Sequence, residues 1–309
     1  MKGIYLSNTI KGEIKMGKFS YLRYAVVLIV LMLVTSVAAG CGGGDDEGEI
    51  SVLRWGLIPA DDATEMLRQY QPVVEYLEEE LGIDIEIQVT TDYTAAILAM
   101  KNKHIDMAWF GPFSYILAAD EAGAEALVNG VRRDTGKSTY RTIFVTRMDS
   151  GIETLEDLKG HTFAFVDPAS TSGNLIPRAV LMENGIDPET DFSTWFYAGT
   201  HNAVELAVQN GTVDAGADSD TSYHRMLNEG QIDPEINIII HESEPIPGSP
   251  IVVRGDLPQD LKDNIKQALI EMDTQTFYDV QGWGDIEKYV EVTDSDYDII
   301  RQTRDLLGL

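Results

Sequence analysis

The chain has 309 residues and a formal charge of −28 at pH 7. A surface this acidic excludes proteins that bind nucleic acid or an anionic membrane through a basic face. It also gives an anionic ligand no long-range attraction, so selectivity for an anion would have to come from short-range hydrogen-bond donors. Cys41 is the single cysteine, which excludes an internal disulfide.

The first 40 residues resemble a bacterial lipoprotein signal peptide. A basic segment precedes an apolar run over residues 25–34, and Val37-Ala38-Ala39-Gly40 leads directly into Cys41. We expect cleavage before Cys41 and a lipid on its thiol, with the protein on the extracytoplasmic face of the cell membrane, in the periplasm or at the cell surface. An uncleaved membrane helix is the alternative. Residues 41–50 are rich in glycine and acids and predict a flexible tether.

After the tether, short apolar strands alternate with helical patterns, which indicates an α/β fold with ligand contacts at the carboxyl ends of strands. The predicted strands cover residues 52–57, 83–89, 105–110, 141–147, 163–166, 194–197, 213–217, 236–240 and 251–253. From residue 258 onward the pattern is helical with breaks, and we assign no site there.

The most informative segment follows the strand at residues 163–166. Asp167-Pro168 ends that strand, and Ser170, Thr171, Ser172 and a glycine precede a helical pattern. The first turn of a helix has unpaired backbone N–H groups and the positive end of the helix dipole, so three hydroxyls there predict an anion cradle. A simple helix cap is the alternative.

Other polar side chains also follow predicted strands. Tyr93 could direct its phenol into a crevice or pack against the core. His201 could donate to an anion or lie exposed at a helix start. Asp218 and Asp220 could accept from a ligand or cap the next helix.

Several kinds of site are not supported. The five histidines lack the spacing of metal ligands, and the dinucleotide, Walker and serine-hydrolase motifs are missing, so we expect neither metal nor cofactor. Ser170 or Ser172 with His201 and Asp220 could form a catalytic triad, which leaves a secreted serine hydrolase as an alternative.

The order of these segments resembles the phosphonate, phosphite and phosphate solute-binding proteins of ABC transporters. The resemblance covers about residues 52–253 and is carried by Thr-Asp-Tyr93, Ile105-Asp-Met-Ala-Trp-Phe-Gly-Pro-Phe113, Asp167-Pro-Ala-Ser-Thr-Ser-Gly-Asn174, His201, Val213-Asp-Ala-Gly-Ala217 and Ser249-Pro-Ile-Val-Val-Arg254. It implies a two-lobed type II periplasmic-binding-protein fold, the Venus flytrap. Lobe 1 would contain residues 51–146 and 250–309, and lobe 2 residues 147–249. Two crossing segments, near Phe144-Val145 and Pro247-Gly248, would form the hinge.

The resemblance also implies a site. Ser170, Thr171 and Ser172 would bind the phosphonate oxygens, and Tyr93 and His201 would add donors from the two sides. Phe110 replaces a second tyrosine of some members and would form an apolar wall, and Asp220 is favoured over Asp218 as the acidic site residue. Ser249 stands where aminophosphonate binders have an acid, which favours a compact oxyanion over an aminoalkyl ligand.

The implied function is that of a lipid-anchored binding component, not an enzyme. It would capture a small phosphorus oxyanion between its lobes and deliver it to an ABC permease with its ATPase. A ligand-sensing lobe of a membrane signalling protein is a second alternative. The sequence leaves open whether the ligand is phosphonate, phosphite or phosphate.

Overall fold

The computed structural model describes residues 50–273 and 286–309. The expected signal peptide, Cys41 and the tether up to residue 49 lie outside the described residues. No helix in the described part of the chain is both long and apolar enough to cross a membrane.

Strands and helices alternate over most of the described chain. The strands are β1 (Val52–Leu57), β2 (Asp84–Val89), β3 (Met107–Trp109), β4 (Ala124–Arg132), β5 (Thr139–Tyr140), β6 (Thr142–Arg147), β7 (Thr162–Phe165), β8 (Thr194–Tyr197), β9 (Ala215–Ser219), β10 (Asn237–Glu242), β11 (Ile246–Pro247), β12 (Pro250–Arg254) and β13 (Ile286–Glu291). The helices are α1 (Ala63–Leu81), α2 (Tyr93–Lys101), α3 (Pro112–Ala122), α4 (Ile176–Glu183), α5 (Pro188–Asp191), α6 (His201–Gln209), α7 (Asp220–Asn228), α8 (Gln259–Glu271) and α9 (Asp298–Leu307). Short helical turns cover Glu156–Leu158, Thr171–Leu175 and Asp294–Tyr297.

The strands form two large sheets, one in each lobe. The first has the order β13-β4-β12-β3-β1-β2, with β1 parallel to β2 and β3 and with β12 antiparallel to β3. The second has the order β10-β6-β9-β7-β8, with β7 parallel to β8 and β9. In both lobes the parallel strands direct their carboxyl ends to one edge, which is where α/β sheets bind ligands.

The chain crosses between the lobes earlier than the sequence suggested. β6 pairs with β9 and β10, so residues 142–146 belong to the second sheet and not to lobe 1. The short strands β5 and β11 pair with each other between the two large sheets, with Tyr140 opposite Ile246 and Thr139 opposite Pro247. The first crossing therefore lies at β5 and not at Phe144-Val145, because both of those residues are buried in the middle of β6.

Apolar side chains fill three clusters. One packs α1 and α8 on the first sheet around Leu53, Trp55 and Ile265, and another packs the second sheet around Phe144 and Phe163. The largest cluster joins residues of both lobes and extends from Tyr93 and Phe110 to Val166 and Leu175. Helix α9 contacts both α3 and α4, so the C-terminal helix also bridges the lobes.

A buried ion pair fastens the strands of the first sheet. Asp106 is 1% exposed and lies directly before β3. Its carboxylate accepts from the Arg54 guanidinium of β1 at 2.8 Å and from the Arg254 guanidinium of β12 at 2.9 Å. Since β1 and β12 flank β3, this network fixes the three strands that precede the site.

The turn after β7 depends on a glycine. Ser170 accepts from the backbone N–H of Gly173 at 3.1 Å, and the Gly173 carbonyl accepts from Val166 at 2.9 Å. A Cβ atom on Gly173 would lie 2.2 Å from Cγ2 of Val166, which is far too close for two carbon atoms. The absence of a side chain at Gly173 lets the hydroxyl turn pack directly against the end of β7.

We predict that Gly173→Ala lowers the free energy of unfolding by about 1–3 kcal/mol, because the added methyl group overpacks the turn against Val166. Urea denaturation followed by circular dichroism measures this change. Met182→Ala on the exposed side of α4 is the control and should change stability by less than about 0.5 kcal/mol. Equal stability of Gly173→Ala and wild type would contradict the close approach.

Candidate functional site

A cavity of about 320 Å³ lies between the two lobes. Tyr93, Trp109 and Arg132 line it from the first lobe, and Ser170, Thr171 and Ser172 line it from the second. Tyr140 and Ser249, from the crossing segments, complete the wall. The carboxyl-end edges of both sheets therefore meet at this one cavity.

The three hydroxyls lie in this cavity and are almost fully buried, but they have different roles. Ser170 caps the turn through its bond to Gly173, as the cap hypothesis predicted. Thr171 accepts from the backbone N–H of Phe113 at 2.8 Å, across the lobes. Ser172 makes neither of these backbone hydrogen bonds, and its hydroxyl faces Tyr140. Ser172 is therefore the hydroxyl of the three that is most available to a ligand.

Tyr140 is a site residue that sequence analysis missed. Its phenol lies beside the hydroxyls of Thr171, Ser172 and Ser249, and burial raises its pKa far above the usual range. The group therefore stays protonated and can donate. No local pattern identifies this residue, because β5 has only two residues and reaches the site through its pairing with β11.

Tyr93 is the first residue of α2 and is 1% exposed. Asp92 caps this helix by accepting from Ala95 at 2.7 Å, which fixes the start of the helix beside the cavity. Burial raises the pKa of the Tyr93 phenol well above its usual value, and the phenol lies beside the Ser170 hydroxyl. The tyrosine is thus a neutral donor on the first lobe, in the position that the sequence suggested.

His201 is the first residue of α6, and it also contacts the cavity. Thr200 caps α6 by accepting from Ala203 at 3.1 Å. The His201 backbone N–H donates to the Ala60 carbonyl at 2.8 Å across the lobes. Its ring is hydrogen-bonded through Nδ1 to Asp218, and burial lowers its pKa to about 4. At neutral pH this histidine is therefore a neutral hydrogen-bonding group and not a cation.

The position expected for Asp220 needs correction. Its carboxylate does not line the cavity, because it accepts from the Arg132 guanidinium at 2.7 Å and from the Arg141 backbone N–H at 2.9 Å. Asp218, the other candidate, is completely buried behind His201. Neither carboxylate faces the cavity.

Phe110 is also displaced from its expected position. It is fully buried in the core and does not line the cavity, whereas Trp109 does. Successive residues at the end of a strand point to opposite faces, so the tryptophan faces the cavity and Phe110 packs behind it. The apolar wall is therefore supplied by Trp109.

Two arginines in the cavity wall were also missed. Arg132 at the end of β4 pairs with Asp220 at 2.7 Å, and Arg225 of α7 pairs with Asp61. Each pair joins the first lobe to the second, so the lobes are held in a closed arrangement. The partners are 88 and 164 residues apart in the chain, which is why no sequence spacing reveals them.

The serine-hydrolase alternative finds no geometric support. Asp220 faces Arg132, and within residues 50–273 and 286–309 no hydrogen bond joins the His201 ring to Ser170 or Ser172. A nucleophile needs a base within hydrogen-bond reach. What the described groups can do is present several neutral donors to an enclosed anion.

Comparison with known proteins identifies the family. Residues 55–297 match the family model described as the periplasmic substrate-binding protein of a phosphonate ABC transporter. The phosphate-import protein PhnD of Mycolicibacterium smegmatis is 30% identical over 304 residues, which is 89% of this chain and 94% of that protein.

Solved structures show the same fold. A binding-protein component of an ABC phosphonate transporter from Pseudomonas aeruginosa superimposes with a TM-score of 0.77 at 25% identity, over 83% of this chain and 86% of that one. PhnD1 of Prochlorococcus marinus, solved with methylphosphonate, also has a TM-score of 0.77, at 20% identity over 84% of this chain and 99% of its own. The two-lobed fold expected from sequence is thereby confirmed.

These matches also confirm that the protein binds a solute rather than catalysing a reaction, since the family consists of transport components. Such components act outside the cytoplasm together with the other parts of an ABC transporter. The chain belongs to the family of periplasmic substrate-binding proteins of phosphonate ABC transporters.

Proposed function

We propose that this protein is a lipid-anchored receptor that closes its lobes on a small phosphorus oxyanion and delivers it to an ABC permease. The observation that carries this proposal is the buried cradle of Ser170, Thr171 and Ser172, with Tyr93 and His201 at the same cavity. Enclosure replaces the water around an anion with donors already in place. Each hydrogen bond to the charged ligand then contributes about 1.5–3 kcal/mol.

The charges of the wall favour an anion without an ammonium group. Asp61 and Asp134 are the two acidic residues among the described residues that line the cavity. Asp61 pairs with Arg225, and Asp134 pairs with Arg132 at 2.7 Å. Ser249 also lines the cavity, and the family resemblance implies an acidic residue at this position in aminophosphonate binders. An aminoalkyl ligand would therefore find no free carboxylate for its ammonium.

The relatives support the same class of ligand. The mycobacterial protein is named for phosphate import, and PhnD1 was solved with methylphosphonate. Phosphate and methylphosphonate are both compact tetrahedral phosphorus anions. We test the class by isothermal titration of a soluble form beginning at Gly42 with phosphite, methylphosphonate, 2-aminoethylphosphonate, phosphate and sulfate. One-to-one binding of a phosphorus anion supports the proposal, and no heat with any of them refutes it.

The proposed membrane anchoring rests on the residues that precede the folded part of the chain. The small residues before Cys41 favour cleavage and lipidation there, and the glycine-rich tether would let the receptor reach a permease beside its anchor. A single acyl chain holds a protein only weakly, so stable anchoring needs the several chains of a lipid-modified cysteine.

The first prediction for the proposed function concerns Ser172, which we expect to donate directly to the ligand. Ser172→Ala should weaken binding of the preferred anion at least about tenfold, because one hydrogen bond to a charged group is lost. Titration calorimetry measures the change. Ser193→Ala, at an exposed serine outside the cavity wall, is the control. Unchanged affinity of Ser172→Ala would contradict the proposal that the three hydroxyls bind the anion.

The second prediction concerns Asp220, which joins the lobes and does not touch the ligand. Asp220→Asn should lower the affinity for every anion by a similar factor, about tenfold. The substitution destabilises the closed arrangement of the lobes and removes no contact with a particular ligand. Asp134→Asn, which removes the other partner of Arg132 without crossing the lobes, should have less effect. A change in ligand ranking for Asp220→Asn would show direct contact instead.

The third prediction concerns the anchor. Cys41→Ser should release the protein from the membrane fraction, because serine cannot receive the lipid through a thioether. Fractionation of expressing cells and immunoblotting measure the distribution, with Ser51→Ala as a control that leaves the cysteine intact. Membrane retention of Cys41→Ser would indicate an uncleaved apolar segment.

A further inference from the structure

A cluster of titratable groups lies directly behind the cavity and has no role in the function described so far. His201 and Glu205 are on the same face of α6, and Asp218 is near the end of β9. Glu205 and Asp218 are both 0% exposed, and His201 is 8% exposed. Burying two carboxyl groups and an imidazole together is costly unless protons and hydrogen bonds neutralise them.

The two carboxyl groups lie close enough for each to shift the pKa of the other. Oε2 of Glu205 accepts from the Asn237 amide at 2.7 Å, and Oδ1 of Asp218 accepts from the Ser219 backbone N–H at 2.6 Å. The remaining oxygens, Oε1 of Glu205 and Oδ2 of Asp218, are buried and have no donor among the described residues. One proton held between the carboxyl groups satisfies both oxygens, since two ionised carboxylates in contact would repel each other.

The other end of the cluster reaches the ligand cavity. Oδ1 of Asp218 is hydrogen-bonded to Nδ1 of His201. The ring contacts the cavity, and its second nitrogen, Nε2, has no hydrogen-bond partner within the described part of the chain. Nε2 is thus the atom that a bound anion would meet, and the hydrogen it carries decides whether the ring attracts the anion or repels it.

We propose that Glu205 is a positioning residue for anion binding, which acts through Asp218 to keep a hydrogen on Nε2 of His201. The cluster holds one proton between Glu205 and Asp218 and a second between Asp218 and Nδ1 of His201. The buried cluster is neutral overall, so a third hydrogen lies on Nε2, which is a donor whichever atom of that second bond holds its proton. This inference rests on the proposed function, because it names the group that delivers one of the donors to the ligand.

The electrostatics agree with this arrangement of protons. Burial raises the pKa of Asp218 to about 8 and lowers the pKa of His201 to about 4. Burial and the neighbouring Asp218 raise the pKa of Glu205 well above its usual range. These directions favour protonated carboxyl groups and a neutral imidazole, which leave the buried cluster without net charge.

The other ionisable groups that face the cluster come from two elements. Asp61, before α1, raises the pKa values of His201 and Asp218, and Arg225 of α7 lowers them. These two residues form an ion pair, so their effects largely oppose each other. Tyr223 of α7 stays neutral, because burial raises its pKa, and its hydroxyl donates to the Asn237 carbonyl at 2.8 Å. These neighbouring groups therefore supply no net charge that could neutralise the carboxyl groups in place of the two protons.

The inference predicts a specific ring tautomer. ¹⁵N NMR of the free protein with labelled histidine should show His201 as a neutral ring with its hydrogen on Nε2 at pH 7, and the His201→Gln variant identifies the signal. Asp218→Asn should move the hydrogen to Nδ1. The Ser219 N–H holds the amide oxygen of the new side chain at the position of Oδ1, and that oxygen can only accept from the ring.

The inference also predicts how substitutions in the cluster change the affinity for the anion. Asp218→Asn should bind methylphosphonate at least about tenfold more weakly than wild type, because Nε2 becomes an acceptor facing the anion. Glu205→Leu should also weaken binding, and Glu205→Gln should restore most of the loss, since its amide donates to Asp218 as the protonated acid does. Asp214→Asn at the start of the same strand, outside the cavity wall, is the matched control.

The outcomes separate this inference from the proposed function. A neutral His201 ring with its hydrogen on Nδ1 instead of Nε2 in the wild-type protein, or equal affinity of Asp218→Asn and wild type, overturns the role of the cluster. If Asp218→Asn fails to fold, the tautomer of the wild-type ring still decides the question. Failure of the wild type to bind any phosphorus anion would overturn the proposed function, while the tautomer in the free protein would still test the proton arrangement.

Discussion

An anion enclosed between the two lobes loses its water, and the structure depends on donors that replace that water. The protein carries a formal charge of −28, so the donors must act at short range against an unfavourable background. The helical turn at Thr171–Leu175 and helices α2 and α6 all begin at the cavity. Each helix start presents N–H groups and a partial positive charge of roughly half an elementary charge. In the proposed function, neutral donors and helix ends supply the attraction that surface charge does not.

The same groups also hold the lobes together. Helix α3 has no side-chain cap of its own, and Thr171 of the other lobe accepts from its Phe113 N–H. The His201 backbone bonds to Ala60 across the lobes, and the ion pairs of Arg132 and Arg225 cross at the rim. Closing the lobes and completing the donor set are thus one event.

Local patterns predicted the parts of the site that lie within one strand-to-helix junction. Tyr93, His201 and the three hydroxyls were found because each follows a predicted strand and begins a helical segment. The position of Phe110 was predicted wrongly because neighbouring side chains at a strand end point to opposite faces. With only three residues in β3, the sequence pattern does not indicate which face points to the cavity. Tyr140, Arg132 and the crossing at β5 depend on pairing between distant segments, which a single sequence does not reveal. Asp220 was favoured over Asp218 from alignment of a motif, but contacts with Arg132 and His201 decide their roles.

The most direct test of this account is a crystal structure of the protein grown with methylphosphonate. The account predicts the phosphonate between the lobes, with its oxygens about 2.6–3.2 Å from the Ser172 hydroxyl, the Tyr93 phenol and Nε2 of His201. A phosphonate bound elsewhere, or one that leaves the hydroxyl turn without contacts, would contradict it.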